Sequence, residues 1–339
     1  MPSTTLVGYS NLALYSAMGV LTVAMLLFAS YLAALGPVAA DRKNARKPRR
    51  TTGALVTAGA ATHTAGSGAS VEPPAEAPSD GAGPDEASPR ARKLAGIGLS
   101  LTWLGALLLI ASVAMRGLAV MRPPWGNMFE FAVAGAAAAT LIYCLLAKRR
   151  HWEWLGIFVV GPVLLTLGLA LFAFYTEAAE LMPALKSVWL VIHVIVAILA
   201  TGVFTLGFSV GIVYLVRLHR EGKPDLKPNF VETLPSSTSL ERAAYGLNMV
   251  GFILWTFTLV AGAIWAQKAW SAYWTWDPKE VWTFVIWVVY AAYMHARATA
   301  GWDPRKALYI ALAGYVCIIL NFTVVNLYFV GMHSYSGIK

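Results

Sequence analysis

Eight apolar stretches, each long enough to cross a bilayer, constrain this chain more than anything else in it: 10–36, 94–116, 128–147, 154–175, 188–216, 244–265, 281–298 and 307–330. A spanning helix needs about 20 mainly apolar residues. In lipid every backbone N–H and C=O must be satisfied within the protein, so only helices or closed barrels can cross, and stretches of this length predict helices. The expected fold class is all-α: a polytopic membrane protein with about eight transmembrane helices. Composition agrees, with 58% hydrophobic and 13% charged residues, whereas soluble domains carry about 25% charged.

An even number of spans puts both termini on one side. Of the 26 Lys and Arg residues, 20 fall in 42–93, 148–150, 217–242 and 297–306, which alternate onto one face, and six fall on the other. Short basic segments stay cytoplasmic. Both termini are therefore expected to be extracytoplasmic, in a plasma or inner membrane. The N-terminus has no basic region and no A-x-A cleavage site, so the first span reads as retained. Three regions follow: a first transmembrane helix over 1–40, a linker over 41–93, and a seven-helix domain over 94–339. The linker opens with DRKNARKPRR, and 30 of the 40 positions from 51 to 90 are Ala, Gly, Ser, Thr or Pro. Such a segment cannot build a core and is expected to be disordered, its basic start touching anionic membrane lipid. No nucleic-acid partner is expected. Cys144 and Cys317 sit in apolar runs and form no CxxC pair, which excludes a thiol-redox motif in this chain.

Residues 265–287, WAQKAWSAYWTWDPKEVWTFVIW, place Trp265, Trp270, Trp274, Trp276, Trp282 and Trp287 in one short segment that enters span seven from the outer side. Interfacial belts use indoles in ones and twos, so six in one segment suggest a surface for a flat apolar ligand as well as an anchor. Asp277-Pro278-Lys279-Glu280 reads as helix-start grammar, with Asp as N-cap, Pro in the first turn and Glu at the third position. Asp303-Pro304 repeats half of it before span eight. Asn127 with Glu130, and Thr238 with Glu241, have capping-box spacing. Of six histidines, His193 lies just inside span five and His333 just beyond span eight, so both flank the indoles on the outer side. Imidazole is a natural axial ligand for haem iron, and a six-coordinate haem takes two from opposite faces. Each histidine singly also fits a hydrogen-bonded packing role. His295 lies about fifteen residues into span seven, followed by Arg297, which could snorkel to the surface.

The segment WAQKAWSAYWTWDPKEVW resembles the WWD signature of haem-handling proteins. Over about 94–339 the chain resembles the CcsA/ResC type of system II cytochrome c biogenesis protein, called CcsB in some bacteria. That resemblance implies a haem b surface from Trp265, Trp270, Trp274, Trp276, Asp277, Lys279 and Trp282. It further implies His193 and His333 as axial ligands at the outer site, and His295 as a ligand for haem in transit. Ser271 stands where many members have Gly. The implied function is presentation of haem b for thioether attachment to the CxxCH motif of apocytochrome c, as part of a synthase working with a ResB-type membrane partner. No catalytic side chain is implied. A haem chaperone of the system I type and a structural membrane subunit are the competing readings.

Overall fold

The computed structural model describes residues 4–45, 88–178, 187–223, 226–227 and 229–333. The linker expected over 41–93 falls largely outside them. Among the described residues every regular element is helical: α1 Thr4–Ala45, α2 Pro89–Ala119, α3 Met128–Arg150, α4 Gly156–Ala173, α5 Val188–Glu221, α6 Ser237–Trp270, α7 Pro278–Ala298, α8 Pro304–Leu320 and the short α9 Asn326–Tyr328. A π-helical turn, Asn321–Val325, joins α8 to α9. The chain is an all-α, multi-pass membrane protein. Most helices overrun their apolar stretches, because flanking polar residues continue the helix and the caps, not hydropathy, end it.

Seven of these helices are both long and apolar enough to span a membrane. The eighth long helix, α7, has the length, 21 residues, or roughly 31 Å. Its four Tyr and Trp rings from Trp282 to Tyr293 lower its hydropathy without removing its apolar surface. Those rings are used in packing: Tyr290 is fully buried and stacks on Phe204 of α5 at 3.9 Å between centroids.

With no water to drive helices together in lipid, packing depends on small residues that let backbones approach. α1 lies along α2, and α5 along α6. Gly105 admits Leu21, and a Cβ there would stand 2.6 Å from the leucine. Polar contacts tie the same end of the bundle: Ser10 donates to the Ser112 carbonyl at 2.8 Å, and Asn11 meets the Tyr175 hydroxyl at 3.2 Å. Phe322, just past α8, stacks on Phe131 of α3 and meets Phe174 beside α4 edge-on. The first residues of α1 and the last of α8 therefore lie at one end of the bundle. The starts of α3, α5 and α7 share that end.

The caps refine two expectations. Asn127 does cap α3, its Oδ1 accepting from Glu130 N at 2.8 Å. The Glu130 carboxylate, however, does not return to the Asn127 N–H. It takes Gly126 N at 2.8 Å, Arg116 Nε at 3.0 Å and Arg122 Nη1 at 2.7 Å. The proposed Thr238–Glu241 box is likewise displaced. Ser236 is the N-cap of α6, and Glu241 pairs with Arg297 at 2.7 Å. In each case an arginine offers a carboxylate a stronger, charge-assisted partner than a backbone N–H does. The Asp277 and Asp303 caps form as the sequence predicts, the first as a complete capping box with Glu280.

Candidate functional site

His193 stands in the second turn of α5, which Ser187 caps by accepting from Trp189 N at 3.3 Å. Its Nδ1 lies 2.9 Å from the Thr258 carbonyl of α6. A carbonyl can only accept, so Nδ1 carries the proton and Nε2 keeps its lone pair. Gly262, one turn further along α6, makes room for the ring, since a Cβ there would lie 2.8 Å from His193 Cε1.

His333 arrives from the other direction, beyond α9. Its Nδ1 lies 2.8 Å from Asp277 Oδ2. The same carboxylate caps α7 through Lys279 N at 3.0 Å, while Oδ1 accepts from Met332 N at 2.5 Å. Asp277 is thus both helix cap and histidine holder. Burial alone would raise its pKa, but the hydrogen bond and charge of His333, with the two backbone N–H groups, hold the carboxyl below its ordinary value. Neither histidine's Nε2 has a hydrogen-bond partner among the described residues.

The two rings meet at Trp265. This indole is 2% exposed, stacks nearly parallel to His193 at 6.2 Å and meets His333 edge-on at 5.5 Å. Trp270 completes the group, 4.9 Å from Trp265 and 5.2 Å from His333. Among the described residues the Nε1 atoms of Trp265 and Trp270 are buried without a partner, as is Asn321 Oδ1. Two cavities of about 170 and 190 Å³ share His193, His333, Phe131 and Lys279 in their walls.

Of the remaining residues singled out by the sequence, Trp274 lines the second cavity and the others stand apart from it. Trp274 and Trp276 pack edge to face at 5.8 Å, and Trp274 faces Phe284 and the first cavity's neighbour on the α6 side. Trp276 is 76% exposed and holds a left-handed backbone, φ 62°. Trp282 is half-buried on α7. Ser271 also has φ 60° as the C-cap of α6, a conformation that suits glycine better than serine. His295 is exposed near the far end of α7, seventeen residues or roughly 26 Å from Pro278. Arg297 is engaged by Glu241 and lies over the Tyr245 ring at 5.2 Å.

Several parts of the site carry no motif, namely Thr258, Gly262 and Asn321, whereas the Trp125–Met128 wall and Phe131 belong to the outer segment PPWGNMFEF. The buried Arg116–Glu130–Arg122 group behind that wall was legible only as a cap. Arg116 also donates to the Thr176 carbonyl and lies 4.7 Å over the Phe129 ring.

Among the described residues no cluster of three or more His, Cys, Asp or Glu side chains is placed to hold a bare metal ion. Two imidazoles with free Nε2 atoms suit a metal that brings its own remaining ligands, as haem iron does. Each has its Nδ1 tied to an acceptor, the usual arrangement for a ligating histidine.

The sequence profile of the Cytochrome C assembly protein family matches residues 98–333, the region that contains this site. Similar curated proteins are named cytochrome c biogenesis protein CcsA. That of Guillardia theta is 32% identical over 266 residues, covering 72% of this chain and 86% of the relative. That of Chlamydomonas reinhardtii is 33% identical, covering 68% and 65%, and that of Synechococcus sp. (strain CC9902) is 32% identical, covering 68% and 83%. With a profile match that runs from α2 to His333 and relatives about a third identical over most of its length, the chain belongs to the cytochrome c assembly protein family.

Proposed function

We propose that this protein holds haem b at the end of the bundle where His193, His333 and Trp265 meet, and presents it there for covalent attachment to apocytochrome c. One observation carries the reading: both imidazoles have Nδ1 tied, to a carbonyl and a carboxylate, while both Nε2 atoms remain unpartnered beside shared cavities. Packing residues satisfy their polar atoms; ligands keep one back. The indoles offer flat apolar walls, and Asp277 strengthens His333 as a donor to iron by accepting its Nδ1 proton. The basic residues at 148–150, 217–223 and 297–306 lie at the opposite end of the bundle, which supports reading this end as extracytoplasmic.

Attachment adds each substrate thiol across a haem vinyl group, the sulfur bonding to one carbon and the thiol hydrogen passing to the other. Nothing is oxidised or reduced in sum. The protein's contribution is position: holding two reactants in register supplies roughly 7–11 kcal/mol when the geometry is good. No side-chain nucleophile is required. The exposed ring of His295, far from the outer pair, fits a ligand for haem in transit shared with a ResB-type membrane partner, because this helix face offers no second histidine.

Co-expression with a ResB-type partner and a CxxCH reporter tests this reading. The wild-type protein yields reporter carrying covalently bound haem, and His193→Ala or His333→Ala abolishes it. Full attachment in both single variants would refute the assignment.

A further inference from the structure

The cavities beside His193 and His333 hold a cation that no carboxylate contacts among the described residues; Glu280, which lines the second cavity, is taken by Thr275 and the Asp277 N–H. Lys279 lies in the first turn of α7 and lines both. Its Nζ donates to the Asn321 carbonyl at 2.6 Å, in the π-helical turn where the α-helical ladder is broken. Among the described residues no carboxylate pairs with that ammonium. The neighbouring Asp277 is already engaged by His333, by Met332 N and by the backbone N–H of Lys279 itself. An ammonium has three donors, and one neutral carbonyl uses one of them. Asp277 acts on that ammonium only at a distance, and a sheltered charge that no carboxylate contacts is costly, so the arrangement is incomplete as it stands.

A second donor lines the first cavity. The indole N–H of Trp265 is buried, 2% exposed for the whole residue, and has no acceptor among the described residues. An indole nitrogen can only donate. The rest of that wall is mainly apolar: Met128, Phe131, Leu190 and Val194. One charged and one neutral donor in an apolar wall complement an anionic oxygen acceptor on an apolar body.

We propose that Lys279 Nζ and Trp265 Nε1 receive a carboxylate of the ligand that His193 and His333 hold, so that the site selects porphyrins with free carboxylates over porphyrins whose acids are masked. This rests on the haem reading above. The Asn321 carbonyl occupies Nζ when no such ligand is bound, and the π turn is what presents it.

The test titrates purified full-length protein with ferric haem b and, separately, with its dimethyl ester, which presents the same iron and ring. The readout is the ratio of the two affinities, compared across variants so that the ligands' different partition into detergent cancels. Lys279→Met is expected to lower the preference for the free acid roughly tenfold or more, the scale of one charge-assisted hydrogen bond. Its low-spin spectrum stays intact, because the histidines are untouched. Lys279→Arg keeps most of the preference, and Trp265→Phe, which keeps a ring but loses the N–H, gives up a smaller part. A ratio unchanged by Lys279→Met, with both ligands still bound through His193 and His333, overturns the carboxylate proposal and leaves the haem site standing. If neither porphyrin gives a histidine-dependent low-spin spectrum, the haem site itself fails and this proposal falls with it.

Discussion

Replacing Asp277 separates the two tasks that one carboxylate performs. Asp277→Ala removes the cap of α7 at Lys279 N, the acceptor for Met332 N, and the partner of His333 Nδ1. Loss of a cap costs about 1 kcal/mol, and a sheltered N–H left without an acceptor about 1–3 kcal/mol, so the fold loses about 2–4 kcal/mol. Loss of a ligand's orienting partner costs about 10–100-fold in metal affinity. Asp303→Ala is the matched control, because Asp303 caps α8 through Arg305 N at 2.8 Å and touches no histidine. It is expected to cost about 1 kcal/mol and leave haem affinity unchanged. Asp277→Asn falls between, since a single amide oxygen cannot serve both Met332 N and the His333–Lys279 pair. Thermal melts and haem titrations in detergent read the two effects separately. The reasoning is refuted if Asp277→Ala destabilises the protein but leaves haem affinity and spectrum as in the control.

Three further outcomes follow from the same geometry. Gly262→Ala introduces a methyl 2.8 Å from His193 Cε1; the ring must turn, and the haem spectrum is expected to lose one axial imidazole while the melt changes by no more than about 1 kcal/mol. Glu130→Ala removes the carboxylate that Arg116 and Arg122 share, their side chains being 4% and 9% exposed, and is expected to cost about 3–5 kcal/mol, against about 1 kcal/mol if Glu130 served only in a cap. The Asp277 carboxyl is held below its ordinary 3.8, so its contribution is complete above that value and is lost as pH falls through the lower folded value. The difference in melting temperature between wild type and Asp277→Asn is therefore expected to shrink as pH falls below about 3.8.

Much of this was legible in the sequence, for definite physical reasons. Spans announce themselves because lipid demands long apolar helices, and Asp277-Pro278 and Asp303-Pro304 announce helix starts because caps are local. The same locality hid the rest. Asp277 reads as a cap from its neighbours, and its bond to His333 depends on chain that returns 56 residues later. Glu130 has capping-box spacing, yet two arginines outcompete the backbone for it once α2 and α3 pack. Thr258 contributes only a carbonyl, which every residue has, and Gly262 only the absence of a side chain. Neither leaves a chemical signature. Trp276, by contrast, was visible as an indole, but its exposure depends on a left-handed backbone that no spacing rule foretold.

The optical and EPR spectra of the purified, haem-loaded protein test the central claim most directly. Wild-type protein is expected to be low-spin and six-coordinate, with His193→Ala and His333→Ala each giving five-coordinate haem or none. An unchanged six-coordinate spectrum in both single variants would contradict it.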